Sequence, residues 1–343
     1  MKRKIVYIDN FLTGHGHTPT TGIAVVKLLR EEGFHVVHAS SKKNKLLRLF
    51  HMLSTIVSNR QQAIVMIATY STSAFYFAYA CGKCCRLLNI PYITCLHGGN
   101  LPSRIARSKG LSASLFGNSI TNVAVSGYLA RSMKENGWPQ LVIPNAISLK
   151  DYSFKERNHC NPKLLWVRSF HQIYNPQLAI QVLHKLLYEF PSATLTMVGP
   201  DKDGSMEACN LMAQQLGVEQ KIKFTGRLSR LEWTTLGADH DIFINTSRFD
   251  NLPVSVIEAM ALGLVVVSTN VGGLPFLIED EVNGLLVENE KWEGFVSAIR
   301  KVVQNPQHAS SLSKAARNTA AKFDEEQVRQ QWRDLLNNMP LKN

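Results

Sequence analysis

Short apolar runs alternate along this chain with longer stretches whose apolar residues recur at helical spacing. Residues 5–8, 34–39, 63–68 and 92–96 are apolar runs of strand length. Runs this short and nearly unbroken suit strands buried on both faces of a parallel sheet. Between them, residues 22–32, 45–57 and 72–88 carry apolar side chains about one helical turn apart. Gly33 closes the first of these helices, and Asn89-Ile90-Pro91 closes the third. A strand over 121–126 and a short helix over 129–135 extend the series, so that one α/β unit fills the first 150 or so residues.

The hydrophilic segment 151–162 reads as a linker, after which the pattern restarts. Strands are expected over 163–167, 193–198, 222–225, 242–245, 265–268 and 284–287, and helices over 176–189, 206–216, 254–262, 291–303 and 308–321. A last helix over 325–338 lines up Val328, Trp332, Leu335 and Leu336, a face that must be buried. Two successive βα series of similar size predict an α/β protein of two Rossmann-like domains facing each other across a cleft. The expected bounds are 1–155, 163–322, and a closing helix within 323–343 that crosses back to the first domain.

Composition adds limits. At 343 residues, 45% apolar and 19% charged, the chain suits two globular domains rather than a disordered one. No run of 18 apolar residues is present. The basic start Met1-Lys2-Arg3-Lys4 leads into only four apolar residues before Asp9-Asn10, which reads as a first strand and not as a secretion signal. A cytoplasmic location follows as an expectation, and the cysteines agree with it. Cys81, Cys84 and Cys85 lie in an apolar helix with no second pair at zinc spacing, so buried reduced thiols and no metal are expected.

The net charge of +12 is unevenly placed. Residues 1–155 hold 19 Lys and Arg against 5 Asp and Glu, and the remainder holds 19 against 21. A basic half suggests an anionic partner. Its cations do not interleave with aromatics, and no zinc-finger or helix-turn-helix spacing appears, so no nucleic acid is expected. An anionic membrane surface or a lipid phosphate is favoured, with a merely solvated basic face as the plain alternative. Lys42-Lys43-Asn44-Lys45, with Arg48, is the densest group of cations.

Candidate chemistry gathers at strand ends. Thr13-Gly14-His15-Gly16, His97-Gly98-Gly99, Gly226-Arg227 and Val271-Gly272-Gly273 each let backbone amides approach an anion. Pro19 stands where a dinucleotide fingerprint would carry its third glycine, and no Walker A motif is present. Glu258 sits in an otherwise apolar helix, where a carboxylate is costly unless paired or used, and ribose hydroxyls could donate to it. Asp250, eight positions earlier in the preceding loop, could face the sugar end of a ligand or simply form an Asx turn. His97 ends a strand beside two glycines. Arg168 directly follows a strand, and with Arg227 it could neutralise a diphosphate leaving group.

One stretch carries a resemblance: Ser247-Arg248-Phe249-Asp250-Asn251-Leu252-Pro253, then Val254-Ser255-Val256-Ile257-Glu258-Ala259-Met260-Ala261-Leu262-Gly263, then Val265 to Pro275 with Gly272-Gly273, then Asn283-Gly284-Leu285-Leu286-Val287. With Val125-Ser126 and Ile143-Pro144-Asn145, this pattern resembles the GT-B retaining glycosyltransferases of family 4, the group 1 glycosyltransferases. The resemblance implies a nucleotide diphosphate sugar as donor substrate and a glycan or lipid-linked acceptor in surface polysaccharide or lipopolysaccharide synthesis; no Asp/His cluster stands at metal spacing, so no metal or other cofactor is expected. The basic first half adds, as an expectation, a peripheral place on the inner face of the cell membrane. Glu258 then matches the second glutamate of the family's E-x7-E motif, on the donor ribose, and Asp250 matches the first, by the donor sugar. Gly272 and Gly273 lie near the donor, His97 near the transferred sugar, and Gly14 and Gly16 in a loop approaching the diphosphate.

Two departures stand out. Aspartate at the first motif position reaches about 1.5 Å less than glutamate. The family's diphosphate-binding arginine and lysine are also disturbed. A gapless match places Ser169 and Tyr174 there, and a one-residue slip restores Arg168 but no lysine. His171 or the Tyr174 phenol would then stand in for the lysine. A binding subunit with little or no turnover and a nucleotide-sugar 2-epimerase are the alternatives.

Overall fold

The computed structural model describes residues 4–12, 21–61 and 63–339. The first apolar runs pair side by side. Strands β1 (Lys4–Ile8), β2 (His35–Ala39), β3 (Ala63–Thr69), β4 (Tyr92–Leu96), β5 (Asn122–Ala124) and β6 (Gln140–Val142) form a parallel sheet in the order β2-β1-β3-β4-β5-β6. Helices α1 (Thr21–Glu31), α2 (Lys45–Ser58), α3 (Ala74–Leu87), α4 (Leu101–Arg107), α5 (Lys109–Phe116) and α6 (Gly127–Glu135) connect them. Alternate residues serve opposite faces of the sheet, as the strand period requires. Val6, Ile8, Val65 and Ile67 pack with α2, α3 and α6, while Ile5, Tyr7, Ile64 and Met66 pack with α1.

The second series forms another parallel sheet. Its strands are β7 (Lys163–Val167), β8 (Thr194–Val198), β9 (Ile222–Gly226), β10 (Ile242–Asn245), β11 (Val265–Thr269) and β12 (Leu285–Val287), in the order β12-β11-β10-β7-β8-β9. Helices α7 (Pro176–Leu186), α8 (Ser205–Gln215), α9 (Arg230–Gly237), α10 (Val254–Ala261), α11 (Trp292–Gln304) and α12 (Pro306–Ala321) flank it. Leu178, Leu183, Phe295 and Ile299 fill one face, and Val256, Ile257, Met260 and Ala316 fill the other.

The chain divides into two units: Ala146–Glu325, and the residues before and after it. Helix α13 (Glu325–Asn337) therefore packs with the first sheet, burying Val328, Trp332 and Leu336 in the same apolar cluster as Ile5, Tyr7 and Met66. Arg329 and Arg333 of α13 pair with Glu32 at 3.3 and 2.7 Å.

The hydrophilic reading of 151–162 misplaces the boundary. Ile147 and Tyr152, read as part of the first domain, are buried in the second unit. Arg157, read as linker, is almost wholly enclosed there. Its guanidinium donates to the carbonyls of Leu262 at 2.7 Å and His240 at 2.9 Å, with Asp241 3.7 Å away. The terminal nitrogens are satisfied in this way, and Nε, without a hydrogen-bond partner among the described residues, faces the Asp241 carboxylate, which offsets the buried charge. Helices α4, α5 and α9 fall in stretches to which the sequence reading assigns no element. The last carries a capping box, Ser229 with Glu232, that its sequence spacing does display.

Candidate functional site

In the second sheet β7 and β10 are neighbours, yet their connections leave in opposite directions. The α7 connection covers one face and the α10 connection the other. Such a switch point opens a crevice at the carboxyl ends of the two strands, where open α/β sheets bind ligands. Arg168 follows β7 there, and residues 246–250 follow β10.

Hydrogen bonds lace the two loops together. Trp166 Nε1 donates to Thr246 Oγ1 at 3.0 Å, and Thr246 Oγ1 donates to the Tyr174 carbonyl at 2.8 Å. The Arg248 amide donates to the Ile173 carbonyl at 2.8 Å. This closure places Arg168 in an ion pair with Asp250 and lays its guanidinium 4.4 Å from the centre of the Tyr174 ring. Arg168 Nε is buried with no hydrogen-bond partner among the described residues. Burial pulls the Arg168 guanidinium below its usual range. Tyr174 thus stacks on Arg168. His171 instead caps the next turn, accepting from the Ile173 amide at 3.1 Å, 3.8 Å from Asp203.

Gly272 and Gly273 fit against the same loop. The Gly273 amide donates to the Asp250 carbonyl at 2.9 Å. A Cβ on Gly272 would stand 2.0 Å from that oxygen, and one on Gly273 only 1.6 Å from the Asn251 carbonyl oxygen. Only glycine allows such an approach.

Glu258 lies on α10, 7% exposed. The Tyr152 hydroxyl donates to its Oε1 at 2.7 Å, and Arg230 lies beside the pair. Burial pushes the Glu258 carboxyl above its ordinary range, while Tyr152 and Arg230 pull it back. Neither Tyr152 nor Arg230 stands out in the sequence as a site residue, because each reaches Glu258 from a distant segment. Arg227 is exposed at the end of edge strand β9, two strands from Arg168.

The first sheet has its own switch point, between β1 and β3. Asp9 follows β1, Tyr70 follows β3 and His97 follows β4. Tyr70 Oη donates to Asp9 Oδ1 at 3.0 Å. His97 Nδ1 lies 3.0 Å from Thr21 Oγ1, and its ring packs on Tyr70 at 5.6 Å. His97 Nε2 is buried without a hydrogen-bond partner among the described residues. Burial lowers the His97 pKa, partly opposed by Asp9, so the ring favours its neutral form. Gly14 and Gly16 lie outside the described residues. No three His, Cys, Asp or Glu side chains converge among the described residues.

The family model for glycosyl transferases group 1 matches residues 150–319. The chain carries a group 1 glycosyl transferase domain. That domain spans β7 to α12 and holds Arg168, Asp250, Glu258, Gly272 and Gly273.

The D-inositol 3-phosphate glycosyltransferase of Saccharomonospora viridis is 31% identical over 127 residues, covering 36% of this chain and 30% of that protein. An uncharacterized glycosyltransferase of Haemophilus influenzae is 27% identical over 158 residues, covering 46% of this chain and 44% of that protein. These matches span less than half the length of each relative. Anabaena Alr3699/HepE, crystallised with UDP, superposes with a TM-score of 0.78 at 17% identity, over 98% of this chain and 100% of that one. The apo lipopolysaccharide outer core galactosyltransferase WaaB gives 0.72 at 15% identity, over 98% of this chain and 100% of that one. The group 1 domain therefore belongs to a chain with the α/β GT-B fold.

Proposed function

We propose that this protein is a retaining glycosyltransferase. It moves a hexosyl unit from a nucleotide diphosphate sugar to a hydroxyl of a glycan or glycolipid in surface polysaccharide or lipopolysaccharide synthesis. The observation that carries this reading is the Arg168–Asp250 pair, closed over by Gly272 and Gly273, at the switch point of the group 1 domain. A structural neighbour of this chain was crystallised with UDP-glucose, which supports a nucleotide sugar as donor.

In this proposal Glu258 accepts from the ribose hydroxyls, and Asp250 holds Arg168 while facing the sugar. The bond from the sugar's anomeric carbon to the diphosphate oxygen breaks, and its electron pair leaves with the diphosphate. Arg168, Arg227 and the amide of Gly272 neutralise that charge, with no metal ion assigned to the step. The acceptor oxygen bonds to the anomeric carbon from the face the diphosphate leaves. Its proton passes to the departing phosphate oxygen. His97, neutral and with Nε2 unsatisfied, binds a hydroxyl of the transferred sugar. Gly14 and Gly16 are assigned to the diphosphate and acceptor approach.

The acceptor belongs to the first unit, whose basic charge suits a lipid-linked phosphate on the inner face of the cell membrane. Incubation with a panel of nucleotide sugars, read out as slow hydrolysis, tests the donor assignment. The wild type should hydrolyse one donor preferentially, and Glu258→Ala should abolish its binding. Unchanged donor binding and turnover in Glu258→Ala would sink the assignment.

A further inference from the structure

The first two turns of α2 expose three large apolar side chains. Leu46 is 80% exposed, Leu47 59% and Phe50 72%. They form one contiguous strip, since positions three and four apart share a helix face. The turn is held in place from both sides. Asn44 Oδ1 accepts from the amides of Leu46 at 2.9 Å and Leu47 at 3.2 Å. Arg48 is buried behind it, donating to the carbonyls of Lys42 at 2.7 Å and Lys43 at 2.8 Å and to Asn10 Oδ1 at 3.1 Å. Arg48 is therefore a clamp and not a surface contact. It leaves Lys42, Lys43 and Lys45 exposed around the apolar strip.

The charge of the segment that carries the strip selects its partner: Lys42, Lys43 and Lys45 are exposed beside it, with no acidic residue in that stretch of sequence. From Gly33 to Lys134 the sequence holds twelve Lys and Arg and no Asp or Glu. A protein partner with an apolar face would meet a field of one sign here, whereas an anionic bilayer offers both an acyl boundary and negative headgroups. The strip also lies at the carboxyl end of the first sheet, the end that carries Asp9, Tyr70 and His97.

We infer that the first two turns of α2 are an interfacial membrane anchor: Leu46, Leu47 and Phe50 enter the headgroup–acyl boundary while Lys42, Lys43 and Lys45 bind anionic headgroups. This rests on the anionic-surface part of the proposed function and names the face that makes the contact. The arrangement seats the His97 end of the unit toward the lipid surface, where a lipid-linked acceptor is presented.

Flotation with vesicles of phosphatidylglycerol and phosphatidylcholine, against phosphatidylcholine alone, tests the anchor. The wild type should float with the anionic vesicles and far less with the neutral ones. The triple variant Leu46→Ser, Leu47→Ser, Phe50→Ser should lose on the order of tenfold or more in vesicle affinity. Gln at Lys42, Lys43 and Lys45 should cost roughly fivefold for each lysine. Because all six side chains are exposed, thermal unfolding midpoints should not fall, which separates lost binding from lost folding. If the wild type ignores anionic vesicles, the membrane reading itself fails. If it floats and the apolar variant floats equally well, the anchor is elsewhere. If the wild type instead self-associates, and the apolar variant does not, the strip is a protein interface. Binding of the nucleotide sugar in solution, measured on the same samples, stands apart from all three outcomes.

Discussion

The phenol of Tyr152 donates to Oε1 of Glu258 at 2.7 Å, joining positions 106 residues apart. That bond opposes the burial that raises the Glu258 carboxyl. Tyr152→Phe removes the bond and keeps the burial, so the carboxyl should rise further. Binding of the wild type's preferred nucleotide diphosphate should weaken by about 1 kcal/mol, roughly fivefold. Its acid limb should move to higher pH. Calorimetric titration across pH reads both, and an unmoved acid limb would reduce Tyr152 to a packing role.

Glu258 also sets stability against function. Its carboxyl is raised in the fold, so its favourable contribution is complete below the ordinary glutamate range and is lost as pH rises through the folded value. At neutral pH the ionised, buried group is a cost. Glu258→Gln keeps an acceptor for Tyr152 without the charge. The variant should melt at a higher temperature than the wild type at pH 7, with the gap closing toward pH 4. Donor binding should fall by about 2 kcal/mol, roughly thirtyfold. A lower melting point at pH 7 would contradict the burial argument.

Arg168 and Asp250 should behave as one unit. Arg168→Ala strands a largely buried carboxylate, at a cost of about 2 kcal/mol, below the value for a fully buried pair. Turnover should drop by about two to three orders of magnitude if the guanidinium stabilises the leaving diphosphate. Adding Asp250→Ala should recover part of the stability and none of the turnover. Denaturant unfolding and single-turnover assays of both singles and the double separate these effects.

Two buried histidines predict acid sensitivity. Burial lowers both His97 and His240 below the usual histidine range. Each favours the fold fully above about pH 6.5, and that contribution is lost as pH falls through the lowered folded value. Unfolding free energy should therefore decline with acidification from about pH 6.5, by up to about 1.4 kcal/mol per pH unit for each histidine. His97→Asn should flatten that decline. An unchanged slope would mean that His97 titrates alike in both states.

Much of this protein is legible in its sequence because buried parallel strands leave a plain signature. Residues 63–68 and 265–268 could hardly be anything else, and both lie in central strands. The close backbone approach at Gly272 and Gly273 is legible for a related reason, since a loop tip at a switch point needs glycine to close. What the sequence hides is pairing at a distance. Tyr152 sits in a segment that reads as solvated, and nothing near it in the chain points to Glu258. Arg157 hides in the same way, because a guanidinium looks exposed until the helix-end carbonyls that receive it are known. The Arg168 stack on Tyr174 is equally invisible, because it depends on how the 170–175 loop folds back onto residues 246–248.

Helix α13 has a consequence for the order of synthesis. Val328, Trp332 and Leu336 complete the apolar cluster that holds Ile5, Tyr7 and Met66, strand residues made some three hundred positions earlier. The first sheet to leave the ribosome thus emerges with α1 on one flank but the place of α13 bare, and stays so until the whole of Ala146–Glu325 has been translated. The later unit, continuous in sequence, can finish folding before the earlier one. A nascent chain stalled ahead of Glu325 would present that apolar flank to chaperones.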